Sequence, residues 1–192
     1  YINSTAELKR YSDVCVTSAN ALGIIRKLPN KNIYFIPDQN LAHFVADQIP
    51  EKNFIFNEGY CPVHQQILAG QVREAKAEHP GALVLAHPEC AADVLELADY
   101  TGSTSGIIDY ALKSSQKEFI ICTENGVRAA LEKKCPGKQF YFTRTEPVCM
   151  DMKRITLDQI VHVLKTGENE VFLDDTLRRE AEKPLEEMLK LG

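Results

Sequence analysis

The chain has 192 residues, of which 44% are hydrophobic, 26% charged and 8% aromatic, with 10 Gly and 9 Pro. These are globular proportions, and they exclude a disordered tail, a collagen-like repeat and a mucin-like stalk. The net charge is −5 and the Lys and Arg residues form no cluster, which argues against a nucleic-acid or anionic-membrane partner. Short β-branched or aromatic runs bounded by Pro, Gly, Asn or Asp predict strands over 13–17, 32–36 and 53–56. A long helix follows over 64–78, where Leu68, Val72 and Ala75 fall at i, i+4, i+7. Further strands are predicted over 82–86, 118–122 and 139–142. Between them lie a helix over 90–99, with Ala91, Val94, Leu95 and Ala98 on one face, and another starting near Ile107. A helix over 156–166 carries Leu157, Ile160, Val161 and Leu164 on one face, opens on the Thr156/Gln159 capping box and ends at Gly167. The last segment, 168–192, is charged and helical, with Leu177, Ala181, Leu185, Met188 and Leu189 as an apolar stripe expected to dock on a neighbouring layer. Its Pro184 is expected to kink or divide it.

Strand–helix alternation implies βαβ units, so the fold class is α/β, built from repeated three-layer αβα units with short parallel sheets. The strands divide into three within 1–60 and three within 80–142. No apolar run approaches the roughly 18–20 residues of a membrane span, and the start at Tyr1 shows no secretory signal. Six Cys without a C-x-x-C pair, two of them (Cys15 and Cys122) inside apolar runs, read as reduced thiols of a cytoplasmic protein.

In open parallel sheets, ligands bind where strands exit into the loops before helices. The loop after 53–56 carries Gly59-Tyr60-Cys61-Pro62-Val63-His64, and the loop after 82–86 carries His87-Pro88-Glu89-Cys90. The loop after 139–142 leads to Pro147-Val148-Cys149. His87 and Glu89 suit general acid/base work on a carbonyl substrate, metal binding together with Cys90, or a Cys90/His87 hydrolase; they also suit a plain helix N-terminus. Cys61 and Cys149, in Pro-stiffened loops at the ligand edge, suit iron–sulfur ligation or are two ordinary thiols. Gly102-Ser103-Thr104-Ser105-Gly106 could hold a phosphate or carboxylate, or simply cap a helix, and Ser18 is similar. His43, His79 and His162 are read as surface or interface residues, Cys135 lies on the edge opposite the ligand edge and is given no role, and the Asn3-Ser4-Thr5 sequon carries little meaning in a cytosolic protein.

Taken together, Tyr1-Ile-Asn3, Thr17-Ser18-Ala19-Asn20, Pro37-Asp38-Gln39-Asn40, Gly59-Tyr60-Cys61-Pro62-Val63-His64, His87-Pro88-Glu89-Cys90, Gly102-Ser103-Thr104, Thr123-Glu124 and Cys149-Met150-Asp151-Met152-Lys153 resemble the quinolinate synthase family, in family order and along essentially the whole chain. The resemblance implies condensation of iminoaspartate (iminosuccinate) with dihydroxyacetone phosphate to quinolinate, phosphate and water, in NAD biosynthesis. It implies L-aspartate oxidase or aspartate dehydrogenase as the upstream supplier. The family fold is three αβα domains around a pseudo-threefold axis, with a 4Fe–4S cluster held by one Cys from each domain and an open Lewis-acid iron. Carried onto this chain, Cys61 and Cys149 match two of the three cluster ligands. Tyr1, His87 and Glu89 match the catalytic and substrate-contacting residues, and Asn3, Ser18 and Thr104 match further substrate contacts.

On the same resemblance, 1–62 corresponds to the second family domain, 63–149 to the third, and 150–192 to C-terminal helices packing towards the first. The family's first domain, with the third cluster Cys, precedes the region matched here, so the chain alone is expected to be inactive. Met150-Asp151-Met152-Lys153 replaces the C-x-x-C-x-x-C run of some members, so no disulfide switch is expected. The competing reading is a cluster-free αβα module that binds a small anion.

Overall fold

The computed structural model describes residues 1–192. The chain opens with Ala6–Lys9 (α1), a single turn capped by Thr5, whose Oγ1 accepts from the Leu8 amide at 3.2 Å. Ala21–Lys27 (α2), Asn32–Phe35 (β1), Gln39–Ala46 (α3) and Asn53–Phe56 (β2) follow. The two strands pair in parallel, Asn32 opposite Asn53 and Phe35 opposite Phe56. Period-two alternation sends Ile33 and Phe35 inward and Tyr34 outward. The inward face joins Ile24 and Ile25 of α2 and Leu41, Ala42 and Val45 of α3 in one core.

The run 13–17 is not the strand its composition suggests. Cys15 and Val16 are buried, but the Cys15 amide donates to the Pro184 carbonyl and the Val16 carbonyl accepts from Ile2, both as single bonds outside any ladder. Val16 packs with Phe35 in the first core and a cavity of about 450 Å³ is lined by both segments, but no backbone ladder joins this run to β1. The first sheet therefore has two strands instead of three.

The second unit contains Pro62–Gln65 (α4), Ala69–Glu78 (α5), Leu83–Ala86 (β3), Ala92–Leu95 (α6), Tyr100–Thr101 (β4), Thr104–Lys113 (α7), Glu118–Cys122 (β5), Val127–Lys134 (α8) and Gln139–Phe142 (β6). Its sheet is parallel throughout, in the order β4-β3-β5-β6. On β5, Ile120 and Cys122 face a core built with Val72 and Ala75 of α5 and Val94 of α6. Phe119 and Ile121 face the opposite core, with Ile107 and Ala111 of α7 and Leu131 of α8. Helices thus cover both faces, which is the αβα arrangement.

The helix expected over 64–78 breaks between α4 and α5. Leu68 is extended there and exposed, while Ile67 turns into the core, so the buried stripe is Ala69, Val72 and Ala75. The helix expected over 90–99 shrinks to the one turn of α6. Strand β4 adds a fourth member to the second sheet.

After a 3-10 turn at Met152–Arg154 come Leu157–Thr166 (α9) and Asp175–Leu191 (α10). Helix α9 carries the expected capping box and ends with Gly167 at φ 69°, the left-handed region where glycine is favoured. No residue of α9 is buried. Helix α10 docks on α1 and α2, placing Met188 and Leu191 against the first core, with Arg10 paired to Glu180 at 2.6 Å. Pro184 lies inside α10 without dividing it; the residue is buried and its carbonyl takes the Cys15 amide. No helix is long and apolar enough to cross a membrane.

Candidate active site

The exit loops of both sheets converge on one cavity of about 900 Å³. Tyr1, Asn3, Asp38, Cys61 and His64 line it from the first unit and α4; His87, Glu89, Thr104, Thr123, Glu124 and Cys149 line it from the second. The structure thus brings together Tyr1, Asn3, Cys61, His87, Glu89, Thr104 and Cys149 from the residues that the sequence singles out. Ser18 does not line the cavity, but it lies against the Tyr1 hydroxyl, as Glu89 also does.

Local chemistry explains how these loops are held. Gly59 allows the β2 exit loop to pass against the β1 exit loop: its carbonyl accepts from the Gln39 amide at 2.7 Å, and a Cβ there would run into the Pro37 carbonyl oxygen. Asp38 is buried and divides its carboxylate, Oδ1 accepting from the Leu41 amide at the start of α3 (2.8 Å) and Oδ2 from the Cys61 amide (2.9 Å). Burial raises its pKa against those two bonds. Glu124, after β5, accepts from the Gly126 amide at 2.7 Å and from the Cys149 amide at 3.2 Å, and pairs with Lys153 at 3.0 Å. Burial works against its charge, but Lys153 and the two amides outweigh it and lower its pKa. Asn40 ties the units together, donating to the Glu89 carbonyl at 3.0 Å and to Gln65 Oε1 at 3.2 Å.

The centre of the site is a buried trio. His64 Nδ1 lies 2.8 Å from Glu89 Oε2, its Nε2 lies 2.9 Å from the Thr123 hydroxyl, and its ring stacks on His87 with centroids 4.6 Å apart. Burial opposes a charge on His64, but Cys61 and Glu89 outweigh it and raise its pKa to about 9. Burial likewise opposes a charge on Glu89, but the His64 bond, the two imidazoles and the Tyr1 hydroxyl bring its pKa down to about 2. His87 is pushed down to about 4 by burial and then by the neighbouring His64 charge. The Glu89 amide donates to His87 Nδ1 at 3.3 Å, so that nitrogen carries the lone pair and the neutral ring keeps its proton on Nε2. Burial and then the Glu89 charge lift the Tyr1 phenol well above its usual range. At neutral pH the site therefore holds an imidazolium–carboxylate pair, a neutral imidazole and a neutral phenol.

His64 closes the Gly59–His64 exit loop in the sequence but is assigned no role there, since it also opens the run that reads as one long helix. Its signal is the Cys61-Pro62-Val63-His64 spacing, which places both side chains on one face of a turn. A Cys61 sulfur, a His64 nitrogen and a Glu89 oxygen lie within 4.8 Å of one another, a group that could hold a metal ion. The thiols divide by environment. Cys15, Cys90, Cys122 and Cys135 are buried, whereas Cys61 and Cys149 are half-buried and both line the cavity. Two accessible sulfurs on one cavity are part of the thiolate set that an iron–sulfur cluster takes, so the residues present fit two of its ligand positions.

The hydrolase reading of Cys90 is corrected. The thiol is fully buried, donates to the Cys122 carbonyl at 3.3 Å and is held well above its ordinary pKa by burial, so it is neither ionised nor reachable. At the Gly102–Gly106 run the side chain of Ser103 caps α7: its Oγ accepts from the Gly106 amide at 3.2 Å, leaving Thr104 exposed on the cavity wall.

Residues 1–190 match the family model described as quinolinate synthetase A protein. Over its whole length the chain is 49% identical to a quinolinate synthase of Fusobacterium nucleatum, 47% to one of Clostridioides difficile and 46% to one of Caldicellulosiruptor bescii. It spans 63–64% of the length of these curated relatives.

Proposed function

Because the chain belongs to the quinolinate synthetase A family, a family of NAD biosynthesis, we propose that it forms the larger part of a cytoplasmic transferase that condenses iminoaspartate with dihydroxyacetone phosphate to quinolinate, phosphate and water. The observation that carries this reading is the meeting of Cys61, Cys149, His87, Glu89 and Tyr1 on one cavity fed by both sheets. Cys61 and Cys149 would hold a 4Fe–4S cluster, with the third thiolate from the part of the protein that the relatives have beyond this chain. When bound, such a cluster supplies Lewis-acid polarisation of a substrate oxygen or nitrogen.

The chain's own residues handle the protons. Glu89 is ionised and buried, the form that accepts a proton from a substrate carbon or nitrogen. The protonated His64 beside it, its Nδ1 2.8 Å from the carboxylate, holds that form while weakening its basicity. His87, neutral, offers its Nε2–H as a donor to a substrate oxygen without carrying a charge. Tyr1 remains a phenol and donates where Glu89 and Ser18 face it. Asn3 and Thr104 supply polar contacts to carboxylate or phosphate oxygens at the cavity wall. Dehydration and imine rearrangement both need a base and donors beside a polarised carbonyl, which this set provides. The substrate imine is short-lived in water, so an upstream L-aspartate oxidase or aspartate dehydrogenase would supply it.

The test is anaerobic reconstitution of the complete polypeptide with iron and sulfide. A brown cluster that forms in the parent protein and is lost in Cys61→Ser and Cys149→Ser, together with quinolinate formation, is the expected result. Quinolinate formation that survives both substitutions would sink the cluster reading; a complete polypeptide that binds a small anion but takes up no cluster and forms no quinolinate would favour the anion-binding module. The 192 residues by themselves should form no quinolinate.

A further inference from the structure

Cys61 and Cys149 sit outside any strand and outside the body of any long helix, so their positions must be held by something other than a ladder. The same device appears at both. One carboxylate oxygen of Asp38 takes the Leu41 amide in the first turn of α3 and the other takes the Cys61 amide; one oxygen of Glu124 takes the Gly126 amide beside α8 and the other takes the Cys149 amide. The two carboxylate-to-cysteine bonds span 23 and 25 residues of chain. Each runs from the exit loop of one strand to the exit loop of its parallel neighbour, β1 to β2 and β5 to β6. The cysteine carbonyls are also fixed alike, Cys61 accepting from Gln65 at 3.0 Å and Cys149 from Lys153 at 3.2 Å. Both sides of each cysteine's backbone are thus tied, one to a carboxylate and one to a following turn. The two units share no evident sequence repeat, yet they solve the same problem with the same parts.

From this repetition we infer that Asp38 and Glu124 are paired positioning residues, each setting the place of one cavity thiolate by clamping its backbone amide to the neighbouring strand's exit. The inference rests on the cluster reading above, since a fixed thiolate matters most to a ligand set that must close on one object. Neither carboxylate needs to touch the cluster. Each transmits the register of its sheet to a loop that would otherwise be free to swing its sulfur. Outer partners that orient metal ligands are typically worth about ten- to a hundredfold in metal retention.

Amide substitutions separate this role from helix capping. In Asp38→Asn the new side chain would still accept from Leu41 and cap α3, because asparagine caps as well as aspartate, but its NH₂ group would face the Cys61 N–H. In Glu124→Gln the oxygen that faces both the Cys149 N–H and Lys153 becomes a neutral acceptor, so the clamp is weakened at both partners. The complete polypeptide is reconstituted anaerobically as wild type, Asp38→Asn, Asp38→Ala, Glu124→Gln and, as a control, Glu146→Gln, which removes a carboxylate from the Cys149 loop that bonds Arg128 and Asn125 instead. The readouts are cluster absorbance, iron release to a chelator, and the unfolding temperature of the iron-free proteins. Asp38→Asn and Glu124→Gln should lose iron about ten- to a hundredfold faster than wild type, with unfolding temperatures close to it. Asp38→Asn should be as leaky as Asp38→Ala, and Glu146→Gln should match wild type. Wild-type iron release from Asp38→Asn and Glu124→Gln, or a fall in iron-free stability that accounts for the leak, overturns the inference while leaving the cluster reading standing. A wild-type protein that takes up no cluster overturns both.

Discussion

At the residue scale the site is governed by where one proton rests. His64 and Glu89 share it as an ion pair, and His87 stays neutral 4.6 Å away by ring centroid. The sign of each shift gives a stability profile for the iron-free chain. His64, raised from 6.5 to about 9, stabilises fully below 6.5, and that contribution is lost as pH rises through 9. His87, lowered to about 4, and Glu89, lowered to about 2, stabilise above 6.5 and 4.5 respectively, and those contributions fade as pH falls through their folded values. Resistance to urea should therefore peak near pH 6.5 and fall on both sides, and His64→Gln should flatten the alkaline limb and also shrink the acid limb, because His64 is the main group that lowers Glu89 and part of what lowers His87. A midpoint that stays level from pH 6.5 to about 9 would contradict the pairing. In the complete enzyme, Glu89→Gln should keep the cluster and lower turnover about 10²–10⁴-fold, as expected for removal of a general base. Unchanged turnover would take that role from Glu89. His87, Glu89, Cys61 and Cys149 are legible in the sequence because strand exits in a parallel sheet are where ligands bind. The pairing of His64 with Glu89 and of Asp38 with Cys61 is not, because the partners lie far apart along the chain and only the fold joins them.

At the element scale, two apolar patterns that read alike in the sequence have opposite fates. The β5 run is apolar on both faces because helices cover both, and Phe119 is fully buried with its ring 5.7 Å from that of Phe140. Helix α9 has the regular i, i+3, i+4, i+7 stripe of a packed helix, yet Leu157 and Leu164 are both 80% exposed. Phe119→Ala should cost about 3–5 kcal/mol in chemical denaturation. Leu157→Ala should change stability by less than about 0.5 kcal/mol, as surface substitutions do. A large cost for the second would mean that α9 is packed in solution. Long central strands and capped helices are readable because their signals are local and repeated. The two-residue β4 is too short to carry any signal, and the 13–17 run satisfies composition without having a neighbour to form a ladder.

At the scale of the whole molecule, apolar residues gather on the surface. Met150, Met152, Ile155, Leu157, Leu164 and Phe172 are all more than half exposed within one stretch of chain, and Tyr34 and Ile55 present the uncovered face of the first sheet. So much exposed apolar surface is unusual on a monomer and favours association. The isolated 192 residues should form concentration-dependent oligomers in light scattering, reduced by Leu157→Glu with Leu164→Glu. A strictly monomeric parent chain at high concentration would contradict this. The parallel αβα layering is legible from strand–helix alternation, whereas the unequal sheets and the shared cavity depend on pairings between distant segments. The extensive packing of element on element falls within one unit or the other, and the units meet at their loop ends, where Asn40 reaches across to the Glu89 carbonyl. A tilt of one unit against the other would alter the gap between the two sulfurs while leaving each hydrophobic interior intact, so in the complete enzyme turnover should fail on warming before either half melts.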